Sequence, residues 1–488
     1  MPQSRTAAVN PWRVLVVVCF AQFMVVLDAT IVNVALPSIQ TDLGLSPQNL
    51  QWIVNSYTLV FGGFLLLGGR AADLVGRRKL FVLGVAVFSI ASLVNALAQS
   101  GEMLIVARGF QGLGGALVSP AALAIVTTSF AEGPDRTKAL SIWSGIAAGG
   151  AAFGLLLGGL LTQTLSWRWN FLVNVPVGVI VIFAALRFVP ESRAEGIERH
   201  FDGGGAVTVT GGLMALVYTI VKAPQWGWLS PGTLAWAGVA FALLAAFIVI
   251  ELRSPQPLVR LTFFKKRWIS VANATMFLVA GAMFGMFYFA SLYVQQILGY
   301  EPLRAGLAFL PVSLGIMIGA VVSQQLVGKI GVKPVVMIGM TMAATGLIVL
   351  AATTTIDGTY VRLLLGLLPM SLGMGMTFVP LTLIATAGVE REDSGLASGL
   401  FNTSQQVGGA LGLAILASLA SSRTQSLIGA THGRLTLMQQ HSALVEGFQI
   451  AFIASALLMA AGLVMVSIML RGRDVAHVHL GDTVAVPA

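Results

Sequence analysis

The chain alternates between long apolar segments and short polar links. Fourteen apolar runs are each long enough to cross a lipid bilayer, which requires about 20 residues in a helix. This pattern predicts an all-α integral membrane protein with 14 transmembrane helices. The predicted spans extend over approximately 13–36, 51–69, 80–98, 103–127, 139–163, 170–188, 204–222, 233–250, 268–293, 304–327, 334–353, 361–388, 396–420 and 447–470.

The links between the spans contain an internal repeat. The pentad LGLSP at 43–47 is echoed 255 positions later by LGYEP at 298–302, and the same offset aligns Gly76 with Gly331. Eight predicted spans separate the equivalent points, and an even number implies that the two copies have the same orientation in the membrane. The repeat therefore predicts two parallel six-helix halves, with spans 7 and 8 as an inserted pair.

This interpretation divides the chain into four parts. The N-terminal half comes first and is followed by the inserted pair, the C-terminal half and a polar tail. The predicted boundaries are 1–190, 191–255, 256–474 and 475–488. Membrane proteins with such repeats are commonly carriers whose substrate site lies between the halves.

Composition and charge agree with a membrane protein. The chain is 56% hydrophobic and 10% charged, and its net charge is +9. The basic residues lie in short links rather than in a stripe or an arm, which argues against a nucleic-acid partner. The single cysteine, Cys19, excludes a disulfide framework and a thiolate metal site within the chain.

The basic residues also predict the orientation of the chain. If the N-terminus is cytoplasmic, inside links hold 21 basic residues and outside links hold 6. The positive-inside rule therefore places both termini in the cytoplasm. We expect the protein to lie in the cell (inner) membrane, with the lipid bilayer as a partner.

Two charged residues lie well inside the apolar runs. Asp28 is in span 1 and Arg108 is in span 4, and both positions are in the outer half of the membrane. A charge at such depth costs roughly 2.5–3.5 kcal/mol, so it usually has a partner or a function. Asp28 and Arg108 could form a structural ion pair, or Asp28 could bind and release a proton during transport with Arg108 adjusting its affinity.

Two glycine-rich segments suggest conformational roles. The link after span 2 combines turn-forming glycines with charges that could form an ion pair with the other half: Gly69, Asp73, Gly76, Arg77 and Arg78. Span 5 has glycines at steps of about four residues, which allow close helix packing or movement: Gly149, Gly150, Gly154, Gly158 and Gly159. An ordinary basic loop and simple helix packing are the alternatives.

Four segments together resemble one known family. They are 27–37 in span 1, 69–79 after span 2, 108–115 in span 4 and 167–176 at the start of span 6. The chain resembles the fourteen-span drug/proton antiporters of the major facilitator superfamily along nearly its whole length. The resemblance implies a major facilitator fold and alternating-access export of hydrophobic or amphiphilic drug-like molecules in exchange for protons, with the arginine of 108–115 taking part in proton coupling.

The sequence departs from the family pattern at three points. Leu155 stands where the span-5 motif has proline, which leaves the direction of transport open, and Leu74 replaces an arginine in the loop motif. The later spans lack the extra carboxylates of relatives that export dications. We therefore expect neutral, anionic or singly cationic substrates.

Several residues are candidates for the wall of the substrate cavity. Five would offer hydrogen bonds to the substrate or to the charges of Asp28 and Arg108. Four would offer aromatic surface, although helix packing is the more common role of an aromatic residue in a span. The candidates are Thr30, Asn33, Gln111, Asn402 and Gln405, and Trp52, Tyr57, Phe287 and Tyr288.

Other functions remain open from sequence alone. Proton-coupled uptake of a metabolite would use the same fold, and a lone carboxylate could also bind sodium. A membrane-embedded lipid-modifying enzyme or a structural or sensor protein are rivals from other classes. Because no nucleotide-binding loop is present, we expect an ion gradient as the energy source and no cofactor. We also expect the functional unit to be a monomer.

Overall fold

The computed structural model describes residues 10–131, 133–193, 202–255, 257–259, 261–387, 389, 394–429 and 436–471. Fourteen long helices dominate this part of the chain, and it contains no strand. They are α1 Pro11–Leu43, α2 Trp52–Val75, α3 Arg77–Ala96, α4 Gly101–Ser129, α5 Pro134–Thr164, α6 Asn174–Phe188, α7 Gly203–Trp226, α8 Pro231–Arg253, α9 Arg267–Leu292, α10 Leu310–Ile330, α11 Val332–Thr353, α12 Tyr360–Thr386, α13 Ser394–Gly429 and α14 Leu437–Met469.

Short helical segments extend or precede several of these helices. Pro47–Leu50, Trp169–Leu172 and Pro302–Ala308 are short α-helices before α2, α6 and α10. Leu261–Lys265 is a 3₁₀ turn before α9, and Tyr293–Ile297 continues α9 as a π-helical turn.

The helices agree with the predicted spans in order and position. Within the described residues, 13 helical segments are long and apolar enough to cross a membrane. The remaining predicted span, 139–163, falls on α5, a helix of 31 residues. Among its described residues, the apolar portion is Ala152–Thr164. The protein is therefore an all-α, multi-pass membrane protein.

The contacts gather α1–α6 and α9–α14 into two groups, which we take as the predicted halves, and α7 and α8 lie beside them. The halves meet mainly where α2 packs on α13 and where α5 packs on Pro302–Ala308. Helix α7 lies against both α2 and α13, so the inserted pair covers one seam between the halves. Helix α8 packs on α7 and leaves most of its apolar surface exposed, as expected for a lipid-facing helix.

Residues related by the offset of 255 adopt similar backbone conformations. Gly44 and Gly299 have φ values of 61° and 67°, and Gly76 and Gly331 have 127° and 83°. These positive φ values favour glycine because it has no Cβ. The sequence repeat is thus also a structural repeat.

A side-chain contact follows the same repeat. Arg78 Nη1 donates to the carbonyl of Val189 at the end of α6. Its counterpart Lys333 donates to the carbonyl of Leu470 at the end of α14. In both halves a cation therefore binds carbonyls that the end of a helix leaves without a partner.

Glycines in α4 bring this helix close to its neighbours. A side chain at Gly112 would collide with the backbone of Tyr57 in α2, and one at Gly114 would collide with the backbone of Phe88 in α3. Small residues at helix contacts allow such close approach in a membrane. This packing fixes the position of Arg108, which lies one turn before Gly112.

Hydrogen bonds connect the halves at one end of the bundle. We call the end that carries Arg70 and Arg77 the basic end, and the other the opposite end. Toward the opposite end, Ser291 Oγ of α9 donates to the carbonyl of Asn33 in α1, at 2.9 Å. Further bonds join Gln296 to Gln40, Gln48 to Ser421, and Gln163 to Glu301 and to the amide of Leu303.

Candidate functional site

A large cavity lies between the two halves. Its volume is about 1320 Å³, and it extends from the middle of the helices to the basic end. Residues of α1, α2, α4, α9, α10 and α13 line its wall, and Arg70, Asp73, Arg77 and Asp202 lie at its mouth. Since contacts between the halves close the opposite end, the cavity is accessible from the basic end.

Asp28 lies behind the inner wall of this cavity, in a network of hydrogen bonds. The Asp28 side chain is fully buried and that of Arg108 is 1% exposed. Arg108 Nη1 donates to Asp28 Oδ2 at 2.5 Å. Gln111 Nε2 and Asn174 Nδ2 both donate to Asp28 Oδ1, at 2.7 and 3.0 Å. The carboxylate is thus held by one cation and two amides from α4 and α6, a set that we call the Asp28 cluster.

Arg108 has further partners that fix its orientation. Its Nε donates to the carbonyl of Ile53, and its Nη1 also donates to Gln111 Oε1. The guanidinium lies over the ring of Tyr57, 4.3 Å from the centroid, which is a favourable cation–π distance. A buried arginine needs this number of partners to offset the loss of hydration.

Gln111 connects the cluster to α3. Its Oε1 accepts from Asn95 Nδ2 and its Nε2 donates to Ser92 Oγ, both at 2.7 Å. The amide therefore uses its oxygen and its nitrogen at the same time. The expected contact between Asp28 and Arg108 is confirmed, whereas their role in transport remains a proposal.

Most of the predicted cavity residues reach the cavity. The residues that line it are Thr30, Asn33, Tyr57, Phe287, Tyr288, Asn402 and Gln405. Thr30, Asn33 and Asn402 also donate to carbonyls of their own helices. These donors are thereby satisfied, while the side-chain oxygens remain acceptors.

Two of the predicted cavity residues do not line the cavity. Trp52 packs against Tyr218 of α7, with ring centroids 6.2 Å apart, in an apolar cluster between α2, α7 and α13. Gln111 is fully buried within the Asp28 cluster. The placement of these two residues in the cavity wall is wrong, because each side chain points from its helix toward a neighbouring helix, but the alternative that Gln111 hydrogen-bonds to the charged pair is confirmed.

The charged link after α2 forms contacts within its own part of the molecule. Asp73 accepts from Arg77 one turn away, at 2.8 Å. The amide of Arg78 donates to Glu191, next to Gly76, and Gly69 lies against Pro120. The expectation that Asp73 pairs with the opposite half is not met in this conformation, in which the mouth of the cavity is open.

The glycines of α5 face two different partners. Gly150, Gly154 and Gly158 lie against α1, where Gly154 meets Thr30 and Leu27. Gly159 lies against the backbone of Pro302–Ala308 in the other half. Among the described residues nothing lies within 4 Å of the place of a Cβ at Gly149, so Gly149 makes no close helix contact in this conformation, and its alternative role in movement stays a prediction.

Sequence reasoning missed other buried polar residues. Asn174 belongs to the cluster, and its position within the 167–176 motif was the available signal. Asp202 and Glu251 are buried acidic residues of the inserted pair, with exposures of 9% and 4%. Glu251 lies one residue beyond the predicted end of span 8, so the span boundary concealed it.

A helical membrane protein with two like halves around a central cavity has the architecture of a transport protein. The family model described as Major Facilitator Superfamily matches residues 18–413. The chain belongs to this superfamily, and its members are transporters and not enzymes.

Relatives of the chain include proteins of antibiotic resistance and export. It is 37% identical to the puromycin resistance protein pur8 of Streptomyces alboniger, over 98% of this chain and 95% of that protein. It is 41% identical to the cephamycin export protein CmcT of Amycolatopsis lactamdurans, over 84% of this chain and 85% of that protein. The tetracenomycin C resistance and export protein of Streptomyces glaucescens is 35% identical, over 85% of this chain and 77% of that protein.

Solved structures support the fold. A bacterial homolog of the human lysosomal transporter Spinster, in an inward-facing and unoccupied conformation, matches with a TM-score of 0.65 and 18% identity. This match covers 96% of this chain and 98% of that one. A peptide transporter of the POT family matches with a TM-score of 0.66 and 15% identity, over 92% and 96%.

Proposed function

We propose that this protein exports hydrophobic or amphiphilic drug-like molecules across the cell's inner membrane in exchange for protons. The observation that carries the proposal is the buried ion pair between Asp28 and Arg108, because Arg108 is itself part of the wall of the large cavity. Relatives named for antibiotic resistance and export support the direction of transport.

The cavity wall favours a particular class of substrate. Deep in the cavity the lining is mostly aromatic, aliphatic or uncharged and polar, it includes Phe284, Phe287 and Tyr288, and its one charged residue in the described wall is the paired Arg108. The charges at the mouth are Arg70, Arg77 and two carboxylates, while Asp28 is neutralised by Arg108. With no free carboxylate in the described deep wall, neutral, anionic or singly cationic amphiphiles fit better than dications.

Asp28 is the group that would bind the transported proton. Its carboxylate is held by three donors in this conformation, and a proton on it would compete with the hydrogen bond from Arg108. Tyr57, which lies under the Arg108 guanidinium, and Arg108 both line the cavity. Proton binding would therefore release Arg108 from Asp28. Because Arg108 packs on Tyr57, its movement would change the cavity wall.

Alternating access would follow from movement of the two halves. The basic end carries most of the basic residues, so it is the cytoplasmic end by the positive-inside rule. The cavity then faces the cytoplasm, and the contacts at the opposite end close it from the outside. Opening the outer side requires breaking the bonds of Gln163 and of Gln296 with the other half.

Purified protein in liposomes tests this function. A pH gradient is imposed across the liposome membrane, and the movement of a fluorescent amphiphilic dye is followed. Wild type is compared with Asp28→Asn and with Asp357→Asn, a control in an exposed loop position. We expect wild type and control to move dye against the proton gradient and Asp28→Asn to lose this coupling.

Other outcomes of the same assay would contradict the proposal. Dye movement only in the direction of proton flow would indicate an uptake symporter. Wild-type transport that follows a sodium gradient and ignores pH would replace the proton by sodium. Unchanged coupling in Asp28→Asn would show that Asp28 is only a structural partner of Arg108.

A further inference from the structure

Two buried carboxyl groups meet in the inserted pair, away from the Asp28 cluster. Asp202 precedes the first turn of α7, where its Oδ1 accepts from the amide of Gly205 at 2.7 Å. Glu251 lies in the last turn of α8, and its Oε2 accepts from the amide of Val259 at 3.1 Å. Among the described residues, Asp202 Oδ2 and Glu251 Oε1 have no hydrogen-bond partner although both atoms are buried.

Gly205 allows the two carboxyl groups to lie on the same side of α7. A methyl group at this position would lie 2.9 Å from Asp202 Oδ1 and 3.0 Å from Glu251 Oε1. Both contacts are closer than an ordinary van der Waals contact, so the glycine leaves the space that the two carboxyl groups occupy. The two acids are therefore close neighbours in a site with little water.

The described surroundings do not supply a cation to this pair. Beside Gly205 the two carboxyl groups face each other, and the linker contributes the backbone amide of Val259 and the backbone of Leu258 to Glu251. Arg253, in the same turn as Glu251, is exposed, and at the cavity mouth Arg77 is paired with Asp73 while Arg70 lines the wall. No ion pair of Asp202 or Glu251 occurs within the part of the chain that the structure describes.

A proton is the ligand that fits this arrangement. Two unpaired carboxylates in a buried site repel each other and lose hydration, and one shared proton removes both costs. A shared proton would also let one carboxyl group donate a hydrogen bond to the other. A metal ion is less suited, because in the described residues no group of three or more possible ligands is found.

We propose that Asp202 and Glu251 form a second proton-binding site, in which one proton is shared between two carboxyl groups beside the mouth of the cavity. Asp202 itself lines the cavity, as do Pro255, Pro257 and Leu258 of the linker that Glu251 holds. The proton would come from water at the mouth and return to it. Loss of the proton would add repulsion at the base of this linker and change the shape of the mouth.

Infrared difference spectroscopy of the purified protein in lipid nanodiscs tests this site. The background carries Asp28→Asn, so that the other buried carboxyl group does not contribute. In this background we expect a band of a protonated carboxyl group that titrates with pH, and we expect Glu251→Gln to remove it. Glu102→Gln, at an exposed position of α4, is the matched control that keeps the band.

A second variant distinguishes loss of the shared site from misfolding of the protein. Asp202→Asn removes the other half of the shared site, and we expect it also to abolish the titrating band while the protein remains monodisperse. A titrating band that persists in both Glu251→Gln and Asp202→Asn would overturn the proposal, as would a background spectrum without such a band. Because the band is measured without substrate, failure here leaves the proposed export function untouched.

Discussion

The two halves of the molecule differ in buried charge and buried amide groups at the positions of the Asp28 cluster. Asp28 in α1 has Met283 in α9 as its counterpart at the offset of 255, and Met283 is part of the cavity wall. Arg108 corresponds to Leu368 in α12 at the offset of 260 that relates Gly115 to Gly375.

The remaining members of the cluster differ in the same way. Gln111 corresponds to Ser371 at the offset of 260, and the Ser371 hydroxyl donates only to the carbonyl of Leu368 in its own helix. Asn174 lies as far before the end of α6 as Ser455 lies before the end of α14, and Ser455 donates only to Ala451. Within its described residues, the second half thus forms a similar helix bundle without buried charge.

This difference shows that the fold does not require the ion pair. A buried ion pair contributes little net stability compared with apolar residues of similar size. The cations near the helix ends, Arg78 and Lys333, are by contrast present in both halves and make matching contacts. What both halves share serves the architecture, and what only the first half has is the candidate for chemistry.

The largest expected effect on stability comes from breaking the buried pair on one side. Arg108→Met leaves Asp28 as a buried, unpaired acid, and we expect a loss of about 3–5 kcal/mol in the free energy of unfolding. Leu368→Met, at the corresponding position of the second half, should change it by less than about 1.5 kcal/mol. Thermal unfolding in detergent compares the two variants. Equal losses in both would contradict the proposed asymmetry.

Removing both charges should restore stability without restoring function. In the double variant Asp28→Leu/Arg108→Met, the first half resembles the second, and we expect unfolding within about 2 kcal/mol of wild type. Transport driven by a pH gradient should be absent in the same preparation. Retained proton-driven transport in a folded double variant would show that coupling resides elsewhere.

The amide donors of the cluster give an intermediate effect. Asn174→Leu removes one hydrogen bond to the Asp28 carboxylate, and we expect a loss of about 1.5–3 kcal/mol together with a shifted pH profile of transport. Ser455→Ala is the control in the second half, because its hydroxyl bonds only within its helix. A pH profile that moves equally in both variants would argue against a specific role of Asn174.

The smallest effect is expected at the charged link after α2. Asp73→Asn breaks a partly exposed pair with Arg77, and we expect no more than about 0.5 kcal/mol in unfolding. Transport by this variant is compared with transport by Gly328→Ala, because Gly328 occupies the position of the second half that corresponds to Asp73. A strong transport defect in Asp73→Asn with normal stability would indicate that Asp73 contacts other groups when the mouth closes.

Much of the fold could be predicted from sequence, and the reasons are specific. Apolar runs of sufficient length placed the helices, and the glycines at 44 and 299 revealed the repeat because both need positive φ. Depth along the helices was enough to predict that Asp28 and Arg108 meet. The length of an apolar run, the position of a glycine and the depth of a residue along its helix can each be read from the order of residues in the chain.

The remaining features depend on how each helix is rotated and where it ends. Gln111 and Trp52 were placed in the cavity, but the crossing of α4 with α3 and of α2 with α7 turns them toward other helices. Asp202 and Glu251 meet because two helix ends are adjacent in space. Sequence spacing alone contains no measure of either rotation or adjacency.

The most direct test of the central claim is to record proton movement and substrate movement together. Liposomes containing the protein and a pH-sensitive dye are given a gradient of substrate and no pH gradient. We predict that substrate flow through wild type drives protons in the opposite direction, while Asp28→Asn shows no proton flow and the exposed control Asp357→Asn behaves as wild type. Proton flow of wild-type size in Asp28→Asn would contradict the assignment of coupling to the first half.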